Sequence, residues 1–268
     1  GYGSGQIQLY HLTTIQGLSC LGLEMSGIYR GNVDSDSDSP WNANVSGIAF
    51  ISQDGEFNFI PDESETWWSA RYINALIRPV PQGGQNEFAA KGSATIVLMG
   101  IPTPVGFEMK GLYGADEIDA EYVMPLGEFE VVDSGNLTLE KLTDLSNEAL
   151  NLSDLAGDWQ LEDLQSDSES RPVAVSADGK VDVWNDICTQ KIEMTVPDPD
   201  MSLLEFNLTR TNCSAGYPYY VDGSYTGHAI HTAAGTLRPE ESIYLVVWVD
   251  PEGVVGGKPY PSAYRLTR

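Results

Sequence analysis

Short runs in which apolar and polar residues alternate recur along this chain, separated by clusters of Gly, Pro, Asn and Asp. The runs QIQLYHLTTI, SGIAFIS, EFNFI, SATIVLM, FEMKGLY, FEVV, KIEMTV, LEFNLT, YTGHAIH and IYLVVWV are rich in β-branched and aromatic residues and predict strands. In ADEIDAEYVM, Glu117, Asp119 and Glu121 alternate with Ile118, Ala120 and Tyr122. That period of two puts carboxylates on one face of a strand and apolar groups on the other, a wet outer face over a core. The pattern is that of an all-β protein.

One stretch breaks the rule. Over NLTLEKLTDLSNEALNLSDLAG, residues 136 to 157, leucines return every three or four positions, which predicts a short helical connector. The segments on either side repeat one another. MSGIYRGNV, an acidic serine-rich stretch and GIAFISQDGEFNFI precede it; LAGDWQLED, LQSDSES and RPVAVSADGKVDVW come after it. Asp54-Gly55 and Asp178-Gly179 each sit between apolar runs, a strong hairpin signal because glycine accepts the positive φ of the tight turn. This order reads as an internal duplication. We therefore expect two consecutive antiparallel β-barrel or sandwich domains, over residues 1–135 and 155–268, with a connector at 136–154.

The acidic stretch GNVDSDSDSPWN raises a metal question, since Asp34, Asp36 and Asp38 occupy alternate positions. A helix-flanked calcium loop starting at Asp34 needs glycine sixth and a carboxylate twelfth, where this chain has Ser39 and Val45. Weak calcium binding by the three aspartates stands beside the plainer reading of a solvated loop.

The chain has 268 residues, 41% of them hydrophobic and 10% aromatic, enough for a sizeable core. Its net charge of −25 disfavours nucleic acid and anionic membranes as partners. No apolar run approaches the roughly 20 residues of a membrane-spanning helix. The beginning, GYGSGQIQLYHLTT, lacks signal-peptide features, and its small, glycine-rich character fits a chain from which an export signal or lipid anchor has been removed. Cys188 and Cys213 each adjoin a strand-like run, where either a disulfide or two buried thiols would fit. A bridge would imply an oxidising compartment. Cys20 has no evident partner and reads as a small core residue.

The familiar catalytic patterns fail. Gly223-Ser224-Tyr225-Thr226-Gly227 puts tyrosine where a nucleophile elbow needs serine. His228 and His231 lie three apart, which on a strand sends them to opposite faces and away from a shared metal. No CxxC pair and no phosphate-binding glycine loop occurs, so no cofactor is expected. Paired carboxylates could still meet in space, as in glycosidases, which leaves an enzyme as the third-ranked reading. Asn-x-Ser/Thr at Asn44, Asn136, Asn151, Asn207 and Asn212 would matter only in a eukaryotic secreted chain. The aromatics Trp67, Trp68 and Tyr219 are the candidate ligand-binding residues, with packing as the plainer alternative. Tyr219 belongs to YPYYVDGSYTG, which either lines a site or caps a barrel end.

SGIYRG and AGDWQL resemble the Gly-x-Trp opening of lipocalin-like (calycin) barrels. Asp178-Gly179, Cys188, FNLTRTNC, GSYTG and the closing YRLTR extend a resemblance to bacterial envelope lipoproteins with calycin-like β-barrel repeats, closer over 155–268 than over 25–133, where both cysteines are missing. That resemblance implies a fold and a compartment, the bacterial envelope with a lipid anchor on the precursor, and no catalytic residues. The expected function is a non-enzymatic, envelope-tethered protein that binds a small apolar or lipid-like ligand. The alternative is a surface protein binding another protein or a glycan through its outer faces. Membrane contact would come only through the removed anchor.

Overall fold

The computed structural model describes residues 24–36, 44–62, 71–80, 86–98, 101–126, 130–164, 170–184, 187–214, 220–249 and 260–268. They build two closed eight-stranded antiparallel barrels in succession. The first comprises β1 (Gly27–Ser35), β2 (Val45–Ile51), β3 (Glu56–Pro61), β4 (Arg71–Pro79), β5 (Glu87–Leu98), β6 (Ile101–Tyr113), β7 (Glu117–Leu126) and β8 (Glu130–Lys141). The second comprises β9 (Gly157–Asp163), β10 (Arg171–Val175), β11 (Lys180–Trp184), β12 (Thr189–Thr195), β13 (Leu203–Thr211), β14 (Gly223–Thr232), β15 (Ser242–Val249) and β16 (Tyr260–Thr267). In each, every strand pairs with its sequence neighbour, and the last strand closes on the first: Gly31 opposite Leu139, Leu161 opposite Leu266.

Alternation decides what lies inside. In β7, Ile118, Ala120, Tyr122 and Met124 are buried while Glu117, Asp119 and Glu121 are exposed, as the period of two predicts. In β13, Leu204, Phe206 and Leu208 face inward against Glu205 and Asn207 outside. An eight-stranded barrel is just wide enough for its own side chains. Phe57, Phe59, Phe88 and Phe107 fill the first interior at 0–1% exposure, and Leu204, Phe206, Leu208 and Leu245 do the same in the second. A water-sized void against them would leave them accessible, so none abuts these side chains.

The duplication is visible atom by atom. Both barrels open with a glycine at positive φ, Gly27 at 147° and Gly157 at 140°. Two residues on, an aromatic donates to the carbonyl four residues before it: Tyr29 Oη to Met25 O at 2.6 Å, Trp159 Nε1 to Leu155 O at 2.8 Å. The closing cation of each barrel then lies over that ring, Lys141 at 5.8 Å from the Tyr29 centroid and Arg268 at 4.4 Å from that of Trp159. A Cβ at Gly27 would stand 2.6 Å from Lys141 Cε, and one at Gly157 would stand 3.2 Å from Arg268 Nη1, so the glycines also give these side chains room to cross.

The mid-chain leucines divide differently from the helical expectation. Leu137 and Leu139 are buried in β8, and Asn136, Thr138 and Glu140 are exposed, so the first barrel runs six residues past the expected boundary at 135. Pairing with β1 on one side and β7 on the other satisfies this backbone, which overrides the helical spacing. Only α1 (Thr143–Ser146) and a 3-10 turn at Leu152–Leu155 are helical in the connector.

A third apolar cluster joins the barrels through their outer faces. Ile28, Ile48, Phe50, Ile60 and Tyr72 of the first pack with Leu203, Ile230, Tyr244, Val246 and Ala263 of the second, with Leu145 of α1 beside them. Thr95 Oγ1 donates to Pro261 O at 3.0 Å, Tyr72 Oη to Leu164 O, and Arg238 Nη1 to Asp62 O at 3.2 Å. Over Ile48–Ile51 and Ile243–Val247 both faces are buried, which is why SGIAFIS and IYLVVWV read as continuous apolar runs.

Candidate functional site

At one edge of the junction the apolar cluster gives way to polar groups. The β2–β3 hairpin brings Ser52 through Glu56 over the outer face of β14, where His228 points out of the second barrel because Gly227 and Ala229 take the inward positions. A cleft of about 480 Å³ opens there, lined by Gln53, Asp54, Asp198, Met201, Leu203 and Glu205 among others, with His228 in its wall. Gln53 Nε2 donates to Asp198 Oδ2 at 2.9 Å across it.

Asp54, Glu56 and His228 converge, each offering one ligand atom within 4.8 Å of the others, the only such group of three among the described residues. His228 Nδ1 stands 3.2 Å from Glu56 Oε2, and Nε2 stands 3.8 Å from Asp54 Oδ1. The His228 side chain is 7% exposed. At this separation Nδ1 and Glu56 form an ion pair when the ring is protonated, but Nδ1 makes no hydrogen bond. Burial pushes the His228 ring toward neutrality, but contact with Glu56 and the charges of Asp54 and Glu205 outweigh it and raise its pKa above the ordinary imidazole value. Glu56 is held in turn: Asn74 Nδ2 donates to Glu56 Oε1 and, at 2.8 Å, to Asn58 Oδ1. Ser52 Oγ donates to Asp54, and Glu56 N donates to Ser52 Oγ at 3.0 Å.

Of the residues picked from sequence, the described ones lie outside this group. Asp34 and Asp36 are exposed at the end of β1, with Ser134 Oγ donating to Asp36 Oδ2 at 2.7 Å; Asp38 lies outside the described residues. Trp67, Trp68, Tyr219 and Cys20 also lie outside them. Tyr220 and Tyr225, from the same aromatic stretch as Tyr219, flank the guanidinium of Arg210, which is 1% exposed inside the second barrel, at 5.1 and 5.8 Å from their ring centroids. Cys188 and Cys213 form a disulfide between the turn before β12 and the end of β13. His228 and His231 do face opposite ways: His231 Nε2 meets Glu241 Oε1 at 2.9 Å, well apart from the cleft group.

Asp54 was legible only as a turn residue and His228 only as half of a mismatched pair. The one clue in the sequence is the position after Asp-Gly, Glu56 in the first copy and Lys180 in the second. A separate groove of about 580 Å³ crosses the outer face of β5 to β8, beside Leu112, which is 57% exposed.

No family model matches the chain. No curated protein matches it either. Among solved structures, a protein of Bacteroides fragilis NCTC 9343 described as a "putative outer membrane protein" aligns over 92% of this chain and 98% of its own, at 11% identity and a TM-score of 0.31.

Proposed function

We propose that this chain is an exported, envelope-tethered, non-enzymatic protein that binds a small ligand in the cleft between its barrels. The observation that carries the reading is the contrast between filled interiors and that cleft. Phe57, Phe59, Phe88 and Phe107 in one barrel and Phe206 and Leu208 in the other occupy the described interiors, which favours the cleft as the seat of a guest. The cleft pairs an apolar wall of Met201 and Leu203 with a rim of Asp54, Asp198 and Glu205. That lining favours a ligand with an apolar body and a cationic or hydrogen-bond-donating end. Export is supported by the Cys188–Cys213 bridge, which persists in oxidising compartments. The lipid tether rests on the resemblance to calycin-like envelope lipoproteins.

Native mass spectrometry of the protein isolated from its own host tests the reading. One small molecule per chain is expected on the wild type and none on Met201→Trp, whose indole fills the cleft from a half-buried position. No retained molecule, or equal retention by both, would overturn it. The exposed Leu112 beside its groove favours the second reading, docking of a protein or glycan on the β5–β8 face. Leu112→Asp would then abolish binding to host-cell surface material while leaving cleft occupancy unchanged.

A further inference from the structure

We propose that Asp54, Glu56 and His228 form a binding site for one divalent transition-metal ion, with Zn²⁺ the best match, that bridges the two barrels. The site occupies the polar end of the cleft and does not depend on an organic ligand being bound there.

The donor set is the first argument. One imidazole with two carboxylates suits Zn²⁺ and its neighbours, whereas Ca²⁺ and Mg²⁺ prefer oxygen alone. The geometry is the second. Around a tetrahedral ion with bonds of about 2.0–2.2 Å, ligand atoms stand roughly 3.3–3.6 Å apart. The 3.2 Å between His228 Nδ1 and Glu56 Oε2 is already close to that edge. Asp54 stands within 4.8 Å of the other ligand atoms, its 3.8 Å approach being to Nε2, the nitrogen that stays off the ion, so its carboxylate has to move in by about 1 Å. Its side chain is 69% exposed on a two-residue turn, and the movement gives up the Ser52 Oγ hydrogen bond to Oδ1.

The third argument is the state of the histidine itself. Its ring is buried, and Nδ1, although 3.2 Å from Glu56 Oε2, makes no hydrogen bond. A buried polar atom left in that condition costs about 1–3 kcal/mol, and a metal ion that displaces the Nδ1 proton and takes the freed lone pair would relieve it. Asn74 fixes one oxygen of Glu56 and leaves the other aimed at the ring, the kind of outer support that metal-binding carboxylates have. The fourth side opens to the cleft, leaving a position for water.

Metal-stripped recombinant chain, titrated calorimetrically with Zn²⁺ alone in excess Mg²⁺ to occupy surface carboxylates, tests this. One Zn²⁺ per chain is expected in the wild type. Affinity should fall at least about tenfold in Glu56→Gln and Asp54→Asn and disappear in His228→Gln, with Asp178→Asn on the other hairpin unchanged. Co²⁺ bound to the wild type should give the intense visible bands of four- or five-coordination, a readout that needs no variant to fold. Wild-type binding no tighter than that of His228→Gln, wild-type affinity kept by Asp54→Asn, or a Co²⁺ spectrum like that of the hydrated ion would each overturn the proposal. Because no organic ligand is present, failure here leaves the cleft reading standing.

Discussion

In the β10–β11 hairpin, Lys180 reaches back to Asp178 at 2.7 Å and closes the turn on itself. In the β2–β3 hairpin the same position is Glu56, which turns instead toward His228 of the other barrel. The backbones are otherwise matched bond for bond. Gly55 N donates to Ser52 O at 3.0 Å and Gly179 N to Ser176 O at 2.9 Å; Glu56 N donates to Ser52 Oγ and Lys180 N to Ser176 Oγ. Gly55 and Gly179 sit at φ of 87° and 77°. One charge, reversed on an unchanged scaffold, separates a self-contained turn from a group that reaches across the junction. After duplication, the Ser-x-Asp-Gly frame supplies the fold in both copies, and the residue just after it sets each copy's surface chemistry.

The sharpest way to break this equivalence is at the paired clasps that close the barrels. Trp159→Ala removes a fully buried indole and the seat of Arg268, and should cost about 3–5 kcal/mol; Tyr29→Ala should cost a comparable amount in the first barrel. Chemical denaturation of each variant checks this, and a cost under about 1 kcal/mol for either would show that the two clasps are not equivalent.

The disulfide has no counterpart in the first copy, so its removal should act on one side only. Cys188→Ala with Cys213→Ala opens a loop spanning a sequence separation of 25 and should destabilise the second barrel by roughly 3 kcal/mol. Hydrogen exchange resolved by peptide should show faster opening over 187–214 with the first barrel unchanged.

Reversing the hairpin charges should have a smaller effect. Glu56→Lys places an ammonium beside buried His228 and should weaken the junction by about 1–3 kcal/mol. Lys180→Glu alters an exposed pair and should stay within about 0.5 kcal/mol. Thermal unfolding of the two variants side by side measures the difference, and equal effects would remove the distinction between the hairpins.

The smallest effect is one of pH. The Arg268 hydrogen bond, with help from His231 and against burial, holds the Glu241 carboxyl below its ordinary value. A depressed carboxylate pKa contributes stability above the unfolded value of about 4.3, and that contribution is lost as pH falls through the folded value. Acidification from pH 5 to 3 should therefore loosen the Arg268 clasp of the second barrel, and Glu241→Gln should flatten that part of the melting curve.

Much of the fold was legible because barrels obey a local rule. The alternation in β7 and β12, the two Asp-Gly turns and the repeated opening at Gly27 and Gly157 are all set within a few residues, and the structure obeys them. The two-barrel architecture and the Cys188–Cys213 bridge match the expectation. The leucines at 137 and 139 misled because a spacing of three or four among polar residues does not reveal that strands on both sides await pairing. The junction was hidden for a different reason. Ile48, Phe50 and Ile60 point away from their own core, and sequence periodicity does not distinguish an outer face covered by a second domain from a strand buried within one. His228 and Glu56 are 172 positions apart, so nothing local links them.

The junction leaves the molecule with a dry flank and a wet one. Ile48, Phe50 and Ile60 of β2 and β3 and Ile230, Tyr244 and Val246 of β14 and β15 are covered on the outer face, whereas β6, β7 and β12 carry Glu108, Lys110, Glu117, Asp119, Lys191 and Glu193 into solvent. Mutational drift, attached labels and inserted epitopes belong on the second flank, and an epitope inserted into the first would pry the halves apart before either one unravelled.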